Sequence, residues 1–151
     1  DGRVQHAGVV IGMGGVAGHS YKFLPGSFAG PLNCLNTPRQ VSAVTGACLL
    51  TPLAVYRQVG GLDQENLKVA FNDIDYCLKI RAMSLKVVWT PDAECIHHES
   101  VSRGDDLEGE KKKRFAREVR IMKDRWNTTK YHDPFYNKNL FLGSHFYRLS
   151  R

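Results

Sequence analysis

Two aspartates and a pair of histidines carry the residue types for acid–base or metal chemistry in this chain. Asp73 and Asp75 lie in the segment Ala70–Tyr76, and His97 and His98 are adjacent residues further along the chain. A carboxylate within hydrogen-bond reach of a hydroxyl acts as a general base, and neutral imidazole is a common metal ligand. These residues could therefore build one small site for proton abstraction beside a divalent metal.

The aspartates stand at the head of a predicted helix, where the helix dipole favours acidic side chains. The apolar residues that recur at helical spacing are Ile74, Cys77, Leu78 and Leu85. Residues two apart differ by about 200° around a helix, so only one of the two aspartates can face a cleft. We select Asp73 as the candidate base. The alternative is that Asn72 or Asp73 is only an N-terminal cap.

The histidines end a predicted strand and lead into a polar stretch. Alternation along a strand turns one imidazole inward and the other outward, and a hydrogen-bonded core histidine is the alternative to a metal ligand. Ser102 and Arg103 follow in a segment of polar, turn-forming residues, and such loops at strand ends often hold ligands. The planar guanidinium of Arg103 suits bidentate phosphate binding, although it could equally be a surface arginine.

Hydrophobic runs separated by glycine and proline predict an α/β fold with a mixed sheet and flanking helices. Proline suits a first helical turn and glycine a helix end, which predicts a short helix from Pro52 to Gly60 and Gly61. An amphipathic helix is predicted over 105–126, and an extended arm over 127–151. The predicted strands are Val4–Met13, Val41–Thr51, Lys86–Thr90 and Glu94–His97.

Composition restricts the class of protein. A chain of 151 residues with 42% hydrophobic residues can bury a core. Much of its net charge of +6 lies between Lys111 and Arg125, where acids are interleaved. This pattern indicates the solvated face of an amphipathic helix, or attraction to an anionic membrane or a phosphate-bearing substrate. Nucleic-acid binding is disfavoured because aromatic residues do not alternate with the basic ones.

Cysteine spacing and hydropathy bear on location. The four cysteines form no CxxC pair, which predicts reduced thiols in a cytoplasmic protein. No apolar run is long enough to cross a bilayer and no signal-peptide pattern is present, so we expect a location in the cytoplasm, with peripheral association at the inner face of the membrane left open. The start at Asp1 without methionine suggests a piece of a longer protein.

The order and gaps of several motifs closely resemble the C-terminal half of the catalytic domain in bacterial family 2 glycosyltransferases, in particular rhamnosyltransferase-like members. The similarity extends from Gln5-His6-Ala7-Gly8 to the segment 133–140 and covers nearly the whole chain, 1–151. The motifs are Thr45-Gly46-Ala47, Val59–Asp63, Phe71–Leu78, Trp89–Ala93 and His97–Gly104.

The resemblance implies the C-terminal portion of a GT-A fold, on the acceptor side, without its nucleotide-binding half. It implies Asp73 as the base of an inverting transfer, and His97, or less favourably His98, as a ligand of Mn²⁺ or Mg²⁺ beside the leaving diphosphate. The implied substrate-binding residues are Thr45, Gly46, Ala47, Asn72, Asp75, Ser102 and Arg103, with Gly46 expected to tolerate a side chain least. Asn72 stands where family members more often carry an acid.

The implied partners are a nucleotide-sugar donor and a glycan or lipid-linked saccharide acceptor in cell-surface polysaccharide synthesis. Homodimerisation through an unpaired sheet edge remains open. A non-catalytic glycan-binding or scaffolding module of the same fold is the main alternative. A metal-dependent hydrolase built on His97, His98 and Asp73 is disfavoured because no zinc-type spacing occurs.

Overall fold

The computed structural model describes residues 2–97, 109–143 and 149–150. In order along the chain, the strands and α-helices are β1 (Val9–Ile11), β2 (Ala17–His19), β3 (Arg39–Gln40), α1 (Leu53–Gln58), α2 (Asn72–Ala82), β4 (Val88–Trp89) and α3 (Gly109–Trp126). Short 3-10 turns cover Met13–Gly15 and Pro31–Asn33. The fold is therefore mixed α/β.

The strands form two small antiparallel sheets, where the sequence predicts one mixed sheet. β1 pairs with β2, with Val10 opposite Gly18, and β3 pairs with β4, with Gln40 opposite Val88. The strand predicted over Val4–Met13 shortens to β1 because Gly8 and Gly12, at φ 93° and 90°, turn the backbone out of the extended conformation on both sides.

Two predicted strands are wrong. In Val41–Thr51, backbone pairing is confined to the first three residues: the N–H of Val41 bonds to the carbonyl of Val87 at 3.0 Å, and Ala43 forms an isolated bridge with Val9. Full burial ends after Ala43. Beyond that point the backbone amides of residues 45 and 46 bond to side chains, so they do not join a strand ladder. The segment Glu94–His97 is exposed and forms no strand. No strand pairs with it in the part of the chain that is described.

The helices agree more closely with the sequence. α1 begins after Pro52 and is followed by Gly60 and Gly61, both at positive φ. α2 begins at Asn72, as the acidic first turn indicates. α3 occupies Gly109–Trp126 of the predicted 105–126, whose first residues lie outside the described ranges. Among the described residues, none of the helices has the length and apolar character needed to cross a membrane.

The main core lies where α2 and α3 pack on β1 and the segment after β3. Its buried members include Ile11, Val41, Leu67, Tyr76 and Met122. A smaller cluster surrounds Ala7, Tyr21 and Leu35. The main core fixes α2 against the chain segment that leads from β3 into the loop at residues 44–51.

Charged side chains of α3 also hold α2 in place. The carboxylate of Glu118, buried within the core, accepts hydrogen bonds from the backbone N–H groups of Val69 and Ala70 at 3.1 and 2.9 Å. Phe71 follows at φ 64°, and α2 starts at the next residue. Glu118 thus fixes the entry of the chain into the helix that carries Asp73.

The arm after α3 lies along the N-terminal part of the chain. Asp133 accepts a hydrogen bond from the backbone N–H of Ile11 at 2.7 Å, and Thr128 donates one to the carbonyl of Gly15 at 3.0 Å. Tyr131 accepts a hydrogen bond from Arg81 of α2 at 2.8 Å. The described part of the arm is thereby anchored both to β1 and to α2.

Candidate functional site

Asp73 lies in the first turn of α2, half-buried, with its carboxylate against the loop at residues 44–51. Oδ2 accepts a hydrogen bond from the backbone N–H of Gly46 at 2.7 Å, and Oδ1 accepts one from the N–H of Ile74 at 2.8 Å. Each oxygen keeps a further lone pair, so the carboxylate is oriented and still able to accept a proton.

The approach of Gly46 to this carboxylate is close. A Cβ added to Gly46 would lie 3.3 Å from Cβ of Asp73, tighter than ordinary van der Waals contact. The chain around it is a turn, in which the N–H of Ala47 donates to the hydroxyl of Thr45 at 3.4 Å. Thr45, Gly46 and Ala47 therefore form a loop beside Asp73, with Gly46 and Ala47 exposed, in place of the predicted strand.

Asp75 points away from this loop, as the rotation of about 200° between the two aspartates requires. Its side chain is completely buried and accepts hydrogen bonds from Arg125 at 2.9 Å and from the indole N–H of Trp126 at 2.8 Å. Lys79 Nζ lies 3.2 Å from its second oxygen. This placement gives Asp75 a structural ion pair and does not fit the predicted substrate contact. Asn72 is half-buried beside Asp73.

His6 contacts the same loop from the other side. Apart from its place in the motif Gln5–Gly8, no feature of the sequence predicts this role. Its Nε2 accepts hydrogen bonds from the backbone N–H groups of Gly8 and Thr45, both at 3.3 Å. Nδ1 must therefore carry the proton, which it donates to Nδ1 of His19 at 2.9 Å. Two successive backbone N–H groups of the loop are thus held by side chains, that of Thr45 by His6 and that of Gly46 by Asp73.

Burial, with smaller electrostatic contributions from the neighbouring His19 and Arg39, lowers the pKa of His6 from 6.5 to about 3. The unfolded chain therefore binds more protons than the folded chain between these values. The stability supplied by neutral His6 is fully present above pH 6.5 and is lost as the pH falls towards 3. We expect the local opening free energy of residues 6–11 to fall by about 1–2 kcal/mol from pH 6.5 to pH 5.

Hydrogen exchange at residues 6–11, corrected for the intrinsic pH dependence of exchange, measures this effect. In His6→Gln, whose amide oxygen can still accept from Thr45, the fall between pH 6.5 and pH 5 should disappear. His132→Gln, at an exposed histidine, should keep it. A fall that survives in His6→Gln would assign the effect to another group.

Of the histidine-containing part of the predicted site, the structure describes only His97. His97 is exposed, and its Nδ1 lies 2.8 Å from Oε1 of Gln5. Because that amide oxygen can only accept, Nδ1 carries the proton and Nε2 keeps the lone pair that a metal needs. His98, Ser102 and Arg103 lie outside the described residues. Within the described ranges, His, Cys, Asp and Glu side chains form no group of three or more that could hold a metal ion.

Comparison with known proteins finds similarity to parts of much longer bacterial proteins. The chain is 54% identical over 142 residues to the uncharacterized protein y4gI of Sinorhizobium fredii, which covers 94% of this chain and 16% of that protein. It is 41% identical over 107 residues to the O-antigen biosynthesis protein RfbC of Myxococcus xanthus, which covers 70% of this chain and 8% of that protein.

The chain therefore spans less than a fifth of the length of the curated relatives it matches. No family model and no solved structure matches it.

Proposed function

We propose that this chain is the acceptor-side part of the catalytic domain of an inverting glycosyltransferase with a GT-A fold, which transfers a sugar from a nucleotide-sugar donor during bacterial surface-polysaccharide synthesis. The observation that carries the proposal is the carboxylate of Asp73, oriented by the N–H of Gly46 at 2.7 Å in a half-buried position beside a loop of small residues. The similarity to a protein named for O-antigen biosynthesis supports the substrate class.

In the proposed reaction, Asp73 takes the proton of the acceptor hydroxyl. The hydroxyl oxygen attacks the anomeric carbon of the donor while the bond from that carbon to the diphosphate oxygen breaks, and the nucleoside diphosphate leaves with the bonding electrons. The hydrogen bond from Gly46 keeps one carboxylate oxygen fixed, so the other lone pairs meet the hydroxyl in a constant geometry. The absence of a side chain at Gly46 lets the acceptor approach.

His97, or less favourably His98, would hold the divalent metal, with Ser102 and Arg103 near the diphosphate. Bound Mn²⁺ or Mg²⁺ would stabilise negative charge on the leaving group. The tautomer of His97 fits this role because its hydrogen bond to Gln5 leaves Nε2 unprotonated. Gln5 would act as the partner that orients the imidazole.

One observation favours the alternative of a non-catalytic glycan-binding module. Both oxygens of Asp73 accept backbone hydrogen bonds, as in a residue that only caps the helix. Such a module would bind glycans equally well with and without Mn²⁺, and its binding would not depend on the charge of Asp73.

Nucleoside diphosphate release by the full-length protein tests the proposal. A panel of sugar nucleotides is offered with saccharide acceptors in Mn²⁺, in Mg²⁺ and in EDTA. We expect release that requires both an acceptor and a divalent metal. Metal-indifferent glycan binding without release from any donor in the panel would support the binding module instead.

A further inference from the structure

Two exposed cysteines lie beside the proposed site. The sulfurs of Cys48 and Cys95 are 3.8 Å apart, and both residues are exposed free thiols. Cys48 follows Gly46 in the loop at residues 44–51, and Cys95 precedes His97 in a segment without regular structure. The pair therefore bridges the two segments that carry the predicted site residues.

The remaining cysteines have different surroundings. Cys77 is buried, with its sulfur 3.8 Å from the carbonyl oxygen of Val44, and burial raises its pKa to about 11. Cys34 is half-buried and donates a hydrogen bond to the hydroxyl of Tyr21 at 3.2 Å. Only Cys48 and Cys95, of the four cysteines in the chain, combine exposure with a second thiol in contact.

We propose that Cys48 and Cys95 are a modification site, a dithiol that a low-molecular-weight disulfide of the glutathione type oxidises reversibly to an intramolecular disulfide. A disulfide requires a sulfur separation of about 2.05 Å. The sulfurs must therefore approach by less than 2 Å, which two segments outside helices and strands can allow.

The exchange proceeds in two displacements. The sulfur of one cysteine attacks the reagent disulfide, forms a mixed disulfide and displaces one small thiol. The sulfur of the other cysteine then attacks the protein sulfur of the mixed disulfide and displaces the second small thiol. The two protein thiols lose two electrons and two protons, and the reagent disulfide gains both as two thiols.

The bond would tie the loop that holds Asp73 through Gly46 to the segment that contains His97. Drawing Cys48 towards Cys95 pulls on a residue two positions from the Gly46 N–H. We infer that oxidation lowers transferase turnover, and this consequence, unlike the dithiol itself, rests on the proposed function.

Peptide mapping of the full-length protein tests the dithiol. The protein is incubated with oxidised glutathione, alkylated and digested. We expect a linked peptide containing Cys48 and Cys95 that dithiothreitol separates, with Cys77 unmodified. In Cys95→Ser, the glutathione adduct of Cys48 should accumulate about tenfold over wild type because the resolving thiol is missing. Cys48→Ser is the reciprocal variant, and Cys34→Ser the control that still forms the link.

Equal glutathione adducts at Cys48 in wild type and Cys95→Ser, without a linked peptide, would overturn the proposal. Turnover is measured separately on the oxidised samples. A linked peptide with unchanged turnover would keep the dithiol and overturn its effect on activity. A linked peptide in a protein that releases no nucleoside diphosphate would keep the dithiol and count against the proposed function alone.

Discussion

Replacing Asp73 by asparagine is expected to lower the acceptor-dependent turnover of the full-length protein by about 10²–10⁴-fold. Asparagine has nearly the same volume. Its amide oxygen can still accept from the N–H of Gly46, so the loop keeps its position, although the bond from the N–H of Ile74 is lost. The amide cannot take the proton of the acceptor hydroxyl. The loss should therefore appear in kcat, with little change in KM for the sugar nucleotide.

Asp92→Asn is the matched control for this substitution. Asp92 is an exposed carboxylate that accepts a hydrogen bond from the hydroxyl of Thr90 at 2.7 Å, so the change in charge and volume is the same. Its turnover should equal that of wild type. A threefold change in turnover corresponds to about 0.6 kcal/mol of activation free energy. If the turnover of Asp73→Asn stays within threefold of wild type, Asp73 is not the base.

Replacing Asp75 by alanine should cost about 1–3 kcal/mol of local stability, because the donors of α2 and α3 that bond to its carboxylate lose their buried acceptor. The guanidinium of Arg125 would keep only Asp63, at 2.8 Å. The indole N–H of Trp126 would lose its acceptor, and the ammonium group of Lys79 would lose its counter-charge. The burial of this carboxylate makes the loss far larger than that of a surface ion pair.

Hydrogen exchange across α2 and α3 in the full-length protein measures this loss. Asp124→Ala is the control, because Asp124 pairs with Arg120 at 3.6 Å while both side chains are largely exposed, at 71% and 84%. Removing that pair should change the opening free energy by no more than about 0.5 kcal/mol. Similar exchange in Asp75→Ala and Asp124→Ala would show that the buried network contributes no more than a surface pair.

Helices could be predicted here because their signals are local. Pro52 with Gly60 and Gly61 bounds α1, and the acidic first turn with its periodic apolar residues gives α2. The loop after Ala43 could not be predicted in this way. Its amides bond to His6 and Asp73, which are distant in sequence, and an apolar run without those partners has the pattern of a buried strand.

In the candidate site, too, local features could be predicted from the sequence and contacts between distant residues could not. The opposite directions of Asp73 and Asp75 follow from helical geometry alone, so the sequence could indicate that one of them leaves the cleft. The ion pair of Asp75 with Arg125 and the bonds of Glu118 to the chain before α2 could not be predicted, because Arg125 and Glu118 belong to a run of mixed charge typical of a solvated helix face. Packing against α2 makes part of that face an interior surface.

The docking of α3 on α2 has a kinetic consequence. Glu118 binds the two amides that precede α2, and Arg125 and Trp126, two turns further along, bind the carboxylate within it. Since these contacts lie two turns apart on one helix, we expect them to break together in a single cooperative opening event. Each such opening also frees the first turn of α2. The lifetime of the Asp73–Gly46 geometry is thereby set by the undocking rate of a helix that does not contact that loop residue.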